Sequence, residues 1–252
     1  RALVQNRKFS SELSLKNAVI EEKNKDILDS IRYAKRLQTS ILPSPEHMKK
    51  SLGDHFVFYK PKDIVSGDYY CVFEQRDKTI VAVVDCTGHG VPGAFMSILT
   101  FNILHQVIME DKVTRPSDIL DLCARLLPMR LRQQGDAMGS DGMDIAMAAF
   151  DKDKKTVEFA GAFNPLWIIR NGEVNELEAD KISIGSETAA TKAFEAKTLT
   201  LQKGDSLYLF SDGYADQFGG EKGKKLMTRN FRNLLLSIST LPMESQREKL
   251  ES

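Results

Sequence analysis

The sequence has no net charge, few cysteines and no long apolar run. Its 252 residues carry 35 Lys plus Arg and 35 Asp plus Glu. Without a global basic or acidic field, the composition offers no support for a nucleic-acid partner. No run of about 18 uncharged apolar residues and no signal peptide is present. We therefore expect a cytoplasmic globular protein, and a longer parent chain that is tethered to a membrane is compatible with this composition.

The three cysteines, Cys71, Cys86 and Cys123, are far apart in the sequence and form no CxxC pair. An odd number of separated thiols argues against a disulfide framework and against a zinc site. We expect all three to be reduced. Because the chain begins with Arg1 rather than Met, we also expect it to be a fragment of a longer protein.

Residues 1–42 contain neither glycine nor proline and are dense in charge. Apolar residues recur there at a strict seven-residue interval: Leu13, Ile20, Ile27, Ala34 and Ile41. Polar residues fill the companion heptad position, except at Ile31: Asn17, Asn24 and Gln38. Such a narrow, partly polar stripe is typical of a short dimeric coiled coil, and equally of a helix packed on its own domain. We predict a helical linker over residues 1–42, through which a homodimer forms in the first case, and one domain over residues 43–252.

From about residue 52 the sequence changes to short β-branched and aromatic runs bounded by turn residues. The predicted strands are FVFYKP, YYCVF, TIVAVVD, GMDIAMAAFD, TVEFAGA, LWIIRNG, FEAKTLTL and DSLYLFSDG. Polar turns at residues 151–155 and 170–173 predict antiparallel hairpins. Helices are predicted from near Pro92 through AFMSILTFNILHQVIM, over about residues 116–134, and over about residues 224–239. Strands interrupted by blocks of helix, rather than regular βαβ alternation, indicate an α/β (α+β) sandwich with antiparallel sheets.

Three aspartates stand beside glycine at the edges of apolar strands: Asp68 in VSGDYY, Asp85 in VVDCTGHG and Asp212 in LYLFSDGYAD. Carboxylates gathered in this way repel one another and need cations to stay together at neutral pH. Oxygen ligands without His or Cys favour Mg²⁺ or Mn²⁺, and one shared aspartate can bridge two such ions. The alternative is that each aspartate is a turn former or a helix cap. The spacing alone leaves both interpretations open.

Four motifs occur in the order seen in a known family: KPKDIVSGDYY, VVDCTGHGVPGAFMS, DGMDIAMAAFD and GDSLYLFSDGYAD. Together they resemble the bacterial SpoIIE/RsbU-like serine phosphatases, which belong to the PPM (type 2C) class of metal-dependent protein phosphatases. The segment SIRYAKRLQTSILPSP is similar to the helix that leads into those domains, so the resemblance extends from about residue 30 to the end. It implies a PPM-type αββα sandwich of two antiparallel β-sheets flanked by helices, preceded by the helical linker. It also implies that two Mn²⁺ or Mg²⁺ ions activate a water that attacks phosphoserine or phosphothreonine.

The resemblance also implies roles for individual residues. Three aspartates match the catalytic metal ligands of the family: Asp68, Asp85 and Asp212. Asp85 is expected to bridge the two ions, and Cys86 to contribute its backbone carbonyl to a metal. His89 is expected to shape the loop or to contact phosphate rather than to act as a general acid. Asp144 is expected to form a turn or a hydrogen bond rather than to support a ligand.

The family resemblance further implies partners and regulation. The usual substrate in the family is a phosphorylated anti-anti-sigma factor-like protein of the STAS fold, and an upstream sensor domain signals through the helical linker. The family pattern ends with an Asp-Asp-x-Thr-type strand that supplies a further metal ligand, and no such motif occurs before Ser252. We therefore expect the fragment as it stands to bind one metal poorly and to be inactive. The alternative is a catalytically degenerate phosphatase fold that acts as a phosphoprotein-binding or signalling dimer module.

Overall fold

The structure is a computed structural model that describes residues 2–132, 141–189, 191–219 and 223–252. The helices are α1 (Ala2–Ile41), α2 (Pro45–Leu52), α3 (Gly90–His105), which a π-helical turn extends (Gln106–Glu110), α4 (Pro116–Arg132), α5 (Thr228–Ile238) and α6 (Met243–Glu251). The strands are β1 (Tyr69–Gln75), β2 (Lys78–Cys86), β3 (Met143–Asp151), β4 (Thr156–Ala162), β5 (Leu166–Arg170), β6 (Glu173–Leu177), β7 (Lys197–Thr200), β8 (Ser206–Leu209), β9 (Phe218–Gly219) and β10 (Lys224–Lys225).

The paired strands of the described residues are all antiparallel. One sheet has the order β1-β2-β3-β4-β7, a second has the order β6-β5-β8, and β9 and β10 form a two-stranded ribbon. Both hairpins predicted from the polar turns are present, β3 with β4 and β5 with β6. The second hairpin turns through Asn171 and Gly172, whose φ angles of 53° and 78° suit a type I′ turn.

Alternate side chains of the strands face different layers, because successive residues of a strand point to opposite faces. Strand β3 directs Ile145 into the core shared with α3 and α4, and Ala146 into the core between the two larger sheets. Strand β5 directs Ile168 into the same inter-sheet core, and Trp167 into the core shared with α5 and α6. The order of layers is helix, sheet, sheet, helix. The predicted αββα sandwich with antiparallel sheets is therefore confirmed.

The predicted strand FVFYKP is wrong, because residues 56–61 pair with no strand of the described residues. The aromatic side chains of this segment serve as a cover instead. Phe56 and Phe58 pack on the core around the three-stranded sheet, with ring centroids 6.5 Å from Tyr208 and 5.6 Å from Tyr214, respectively. Strand-like composition here reflects burial of rings, not pairing of backbone.

The predicted helix boundaries in the last part of the chain are also wrong. The helix expected from about residue 224 begins at Thr228, because Lys224 and Lys225 pair with β9 instead. The helix α6 was outside the predicted elements. The helix predicted over residues 116–134 ends at Arg132 in the described part, and residues 133–134 lie outside the described residues.

One helix of the described residues, Gly90–Glu110, is long and apolar enough to cross a membrane, with a mean hydropathy of 1.4. Half of the 18-residue segment that has this hydropathy is buried inside the domain. Ile103, Leu104 and Val107 lie in the core against the five-stranded sheet. A helix that is covered on several sides is expected to be apolar nearly all round, so its packing accounts for its composition.

The linker helix is present as predicted, and α1 contacts the domain only near its end. Its buried and half-buried side chains recur every three or four residues there: Ile31, Ala34, Gln38 and Ile41. Upstream, the stripe residues Leu13, Ile20 and Ile27 are 50%, 56% and 56% exposed. The stripe therefore packs on the domain at its last two heptads and is free on this chain before them. Its role as a dimeric coiled coil stays a prediction.

Candidate active site

Four aspartates from separate segments meet at one end of the five-stranded sheet and form a carboxylate cluster: Asp68, Asp85, Asp144 and Asp212. Asp68 directly precedes β1, and Asp212 lies in the loop after β8. The register of β2 with β3 places Asp85 directly opposite Asp144. The register of β1 with β2, continued by one residue, brings Asp68 beside Asp85. Strand pairing thus gathers carboxylates that are far apart in the sequence.

Asp85 lies at the centre of the carboxylate cluster. Burial, followed by the negative charges of Asp68, Asp212 and Asp144, raises the pKa of Asp85 to about 8. Asp68, Asp212 and Asp144 all lie close enough to Asp85 to act on its pKa. A carboxylic acid that keeps its proton near neutral pH does so because its surroundings disfavour another negative charge. The cluster therefore attracts a positive charge.

Hydrogen bonds fix both the backbone and the side chain of Asp68. The Ser211 hydroxyl donates to Oδ2 of Asp68 at 2.6 Å, which ties the loop after β8 to the segment before β1. The Asp68 N–H donates to Ser66 Oγ at 3.0 Å, and the Tyr59 hydroxyl donates to the Asp68 carbonyl at 3.0 Å. The carboxylate of Asp68 therefore enters the cluster from a backbone that is held at its amide and at its carbonyl.

The segment before β1 packs directly on the loop after β2. A methyl group on Gly67 would lie 2.7 Å from the carbonyl oxygens of both Cys86 and Gly88. No larger residue fits at this position unless the backbone moves. Gly88 and Gly90 have φ angles of 91° and 63°, which glycine adopts without strain. These two glycines turn the loop into α3.

Asp144 and Asp212 complete the cluster in different surroundings. Asp144 lies within β3 opposite Asp85 and not in a turn, so the first of its two expected roles is wrong, whereas a hydrogen-bonding role stays a prediction. Its Oδ1 is buried and has no hydrogen-bond partner among the described residues, and burial raises the pKa of Asp144. Burial, together with the charges of Asp216 and Asp68, raises the pKa of Asp212.

Cys86 and His89 occupy the loop between Asp85 and α3. The sulfur of Cys86 faces the core, where it lies 3.3 Å from Thr100 Oγ1, and burial raises the pKa of the thiol to about 12. A buried neutral thiol is a poor metal ligand. The backbone carbonyl of Cys86 as a ligand stays a prediction. The exposed ring of His89 precedes the first residue of α3, with Nδ1 3.4 Å from Oδ2 of Asp63, and its contact with phosphate also stays a prediction.

The donor groups of the carboxylate cluster suit a hard divalent cation. They are carboxylate oxygens without imidazole or thiolate, which favours Mg²⁺ or Mn²⁺ over zinc. A cation would give the unpaired Oδ1 of Asp144 a partner, and it would relieve the repulsion around Asp85. Across the described residues, no three His, Cys, Asp or Glu side chains are arranged to hold an ion as they stand.

The metal-free protein is expected to lose stability as the pH rises from about 4 to about 8. Folding raises the pKa of Asp85 from an ordinary 3.8 to about 8, so the folded state keeps a proton that the unfolded state has released between these values. This contribution is complete below pH 4, is lost as the pH rises through 8, and then levels off. Denaturant titrations with a chelator at about pH 5.5, 7 and 8.5 measure the decline. Asp85→Asn should flatten it, and an equal decline in that variant contradicts the assignment to Asp85.

Most of the chain, residues 75–250, matches the family model described as Stage II sporulation protein E (SpoIIE). This chain belongs to the SpoIIE family. The matched region includes Asp85, Asp144 and Asp212, whereas Asp68 precedes it. The resemblance inferred from the four sequence motifs is confirmed.

Members of the SpoIIE family and solved PP2C domains are similar to this chain. The phosphoserine phosphatase RsbU of Bacillus subtilis (strain 168) is 27% identical over 198 residues, which are 76% of this chain and 55% of RsbU. The chain thus spans little more than half the length of RsbU. The SiaA-PP2C domain of Pseudomonas aeruginosa is 33% identical over 90% of this chain and 89% of that domain, with a TM-score of 0.79. The PP2C phosphatase domain of SpoIIE from Bacillus subtilis, at 21% identity over 74% of this chain and 52% of that one, has a TM-score of 0.56 and supports the fold alone.

Two contributors to the cluster are not predicted by the sequence: Asp144 and Ser211. The signal for Asp144 is the register of its strand, since β2 has an aspartate one residue before its end and β3 has another one residue after its start. The signal for Ser211 is its place next to Asp212, where a hydroxyl on the same loop can reach a neighbouring carboxylate. Both signals need the strand order, which the sequence alone does not specify.

Proposed function

We propose that this SpoIIE-family chain is a metal-dependent phosphatase that hydrolyses phosphoserine or phosphothreonine on a partner protein. The observation that carries the proposal is the carboxylate cluster, in which Asp85 keeps a raised pKa amid three other aspartates. Its similarity to RsbU, which is named a phosphoserine phosphatase, supports this reaction class.

In this proposal Asp68, Asp85 and Asp212 would hold two Mn²⁺ or Mg²⁺ ions, Asp85 would be the ligand common to both, and the carbonyl of Cys86 would be a further oxygen donor. Such ions, when bound, supply an acidified water and neutralise phosphate oxygens. Asp85 gives up its proton on binding, because the anionic form is the one that coordinates. Asp144 adds a fourth carboxylate on the neighbouring strand.

The chain's own groups orient the site and receive the phosphate. The hydroxyl of Ser211 keeps one oxygen of Asp68 in a fixed direction. The helix α3 begins five residues after Asp85, and its first N–H groups have no partner within the helix. Unpaired N–H groups at a helix start attract anions, so a phosphoryl group is favoured between α3 and the cluster. His89 stands at the same place, exposed to an incoming substrate.

The finer parts of the proposal concern the substrate and the control of the site. A small phosphorylated protein of the STAS fold, like an anti-anti-sigma factor, is the proposed substrate in the cytoplasm. An upstream sensor domain would act through α1, whose exposed stripe pairs with that of a second copy. The exposed Leu13, Ile20 and Ile27 support such a pairing.

A second candidate function is a catalytically degenerate fold that binds a phosphoprotein without turnover. One observation favours it: within the described part of the chain, no three potential ligand side chains already converge on a cation. In this case the dimer would transmit its signal through the stripe of α1. Metal affinity and turnover separate the two candidates.

The full domain that contains this chain is expected to release phosphate from p-nitrophenyl phosphate and from a phosphoserine-containing STAS protein when Mn²⁺ is present. We expect Mn²⁺ to raise the rate by at least ~100-fold over a chelator control, which is the size of a single strong electrostatic contribution. Phosphate release is followed colorimetrically, and Mn²⁺ binding is followed by calorimetry. Mn²⁺ binding without phosphate release favours the binding module, and equal release in chelator contradicts the metal-dependent mechanism.

A further inference from the structure

Gln38 is one of the polar residues in the stripe of α1, but it is buried in the domain, with 4% of its surface exposed. Its Oε1 accepts from the Ser66 N–H at 3.0 Å, and its Nε2 donates to the Ser66 carbonyl at 2.5 Å. The same Nε2 donates to Oγ of Ser97 on α3 at 2.8 Å. One side-chain amide therefore pairs with both backbone groups of Ser66 and joins α1 to α3.

Ser66 stands two residues before Asp68, and the connection between them is short and rigid. The hydroxyl oxygen of Ser66 accepts the N–H of Asp68 at 3.0 Å. Between them, Gly67 lies against the carbonyls of Cys86 and Gly88, with no room for a methyl group. The segment 66–68 is thus held by Gln38 on one side and by the loop after Asp85 on the other.

Loss of the Gln38 amide would leave the half-buried backbone N–H and carbonyl of Ser66 without these partners. An unpaired buried N–H or carbonyl costs more than the net gain of a hydrogen bond, so the segment is expected to shift toward water. Because Gly67 already touches two carbonyls, the segment has no room to shift toward the loop after β2. A movement of Ser66 therefore carries Asp68 away from the carboxylate cluster.

We propose that Gln38 is a positioning residue through which α1 holds Asp68 in the carboxylate cluster. The effect on metal binding rests on the proposed function, whereas the effect on the backbone of residues 66–68 does not. In the heptad pattern Gln38 is only a polar residue in the stripe, whereas in the structure its amide makes contacts inside the domain.

The test compares Gln38→Met with Lys35→Met in the full chain. Methionine keeps the length and helix propensity of glutamine but none of its hydrogen bonds, and Lys35 is an exposed position one turn earlier on α1. Hydrogen exchange of the peptide containing residues 66–68 and calorimetric Mn²⁺ affinity are both measured. We expect Gln38→Met to speed exchange in this peptide and to weaken Mn²⁺ binding about tenfold, as loss of an outer-shell contact does. Lys35→Met should leave both unchanged.

A third variant separates positioning from simple destabilisation. Ser97→Ala removes one contact of Gln38 but keeps both bonds to Ser66, so it should lower the melting temperature with little change in Mn²⁺ affinity. Unchanged exchange at residues 66–68 in Gln38→Met, whatever its melting temperature, overturns the proposal. If Gln38→Met does not fold, Gln38→Glu, which keeps the acceptor for the Ser66 N–H, is judged by the same criterion. If the unmodified chain binds no Mn²⁺, the proposed function fails, and hydrogen exchange alone still decides the role of Gln38.

Discussion

Asp85→Asn is expected to abolish most phosphatase activity and, at the same time, to stabilise the metal-free protein. In the proposed site a neutral amide would not replace the charged ligand that two cations share, so the rate should fall ~10²–10³-fold. The same change removes a negative charge that burial and the charges of Asp68, Asp212 and Asp144 oppose, and it should raise the free energy of unfolding at pH 8. Most substitutions of half-buried residues destabilise, so a gain in stability with a loss of activity identifies a carboxylate kept for function.

The measurement for Asp85→Asn needs a matched aspartate outside the cluster. Asp77→Asn provides it, because Asp77 is exposed in the hairpin at the other end of β2. This control should change neither the initial rate with Mn²⁺ nor the melting temperature in chelator. For Asp85→Asn the melting temperature should rise by ~4–8 °C. Undiminished activity in Asp85→Asn rules out the shared-ligand role, and a lowered melting temperature rules out the electrostatic account of the cluster.

The double change Ile20→Lys with Ile27→Lys is expected to convert a dimer into a monomer. Both side chains are 56% exposed on this chain, and they lie on the stripe of α1 before it reaches the domain. In a paired coiled coil, lysines at these positions would place like charges opposite one another in an apolar seam. Light scattering should show the mass fall from twice to once the 28.3 kDa of the chain.

Leu15→Lys is the control for this double change. Leu15 is 69% exposed and lies about 200° around the helix from Leu13, on the face opposite the stripe. Its replacement should leave the dimer intact. A monomer for the unmodified chain contradicts the coiled-coil prediction and leaves α1 as a helix packed only on its own domain.

The sequence is sufficient to predict the strand-end aspartates, because an apolar run that ends in aspartate and glycine is a local pattern. Asp85 and Asp212 are predicted in this way, and the strand before each one predicts that its backbone is held rigidly. Asp144 is different, since its position opposite Asp85 depends on which strands pair and in which register. Pairing is a non-local property that no window of sequence contains.

Two other features show where local patterns mislead. Phe56 and Phe58 have the composition of a strand, but their rings cover Tyr208 and Tyr214 while the backbone stays unpaired with any described strand. Gln38 has the place of a defect in a heptad, but its amide satisfies the backbone of Ser66. In both cases the residue type is explained by a contact with a distant segment.

The stripe of α1 changes its neighbour along its length, and this limits how the helix can carry a signal. From residue 34 onward the stripe, together with Gln38, lies on the domain, so any pairing with a second helix has to end before that point. The rotation of the upstream half of the stripe about the helix axis is then fixed relative to the half that lies on the domain. Shifting the upstream pairing by one residue turns the helix by about 100°, enough to pull the Gln38 amide off Ser66. The linker would thus respond to rotation of the upstream helix pair far more than to a change in the distance between the two helices.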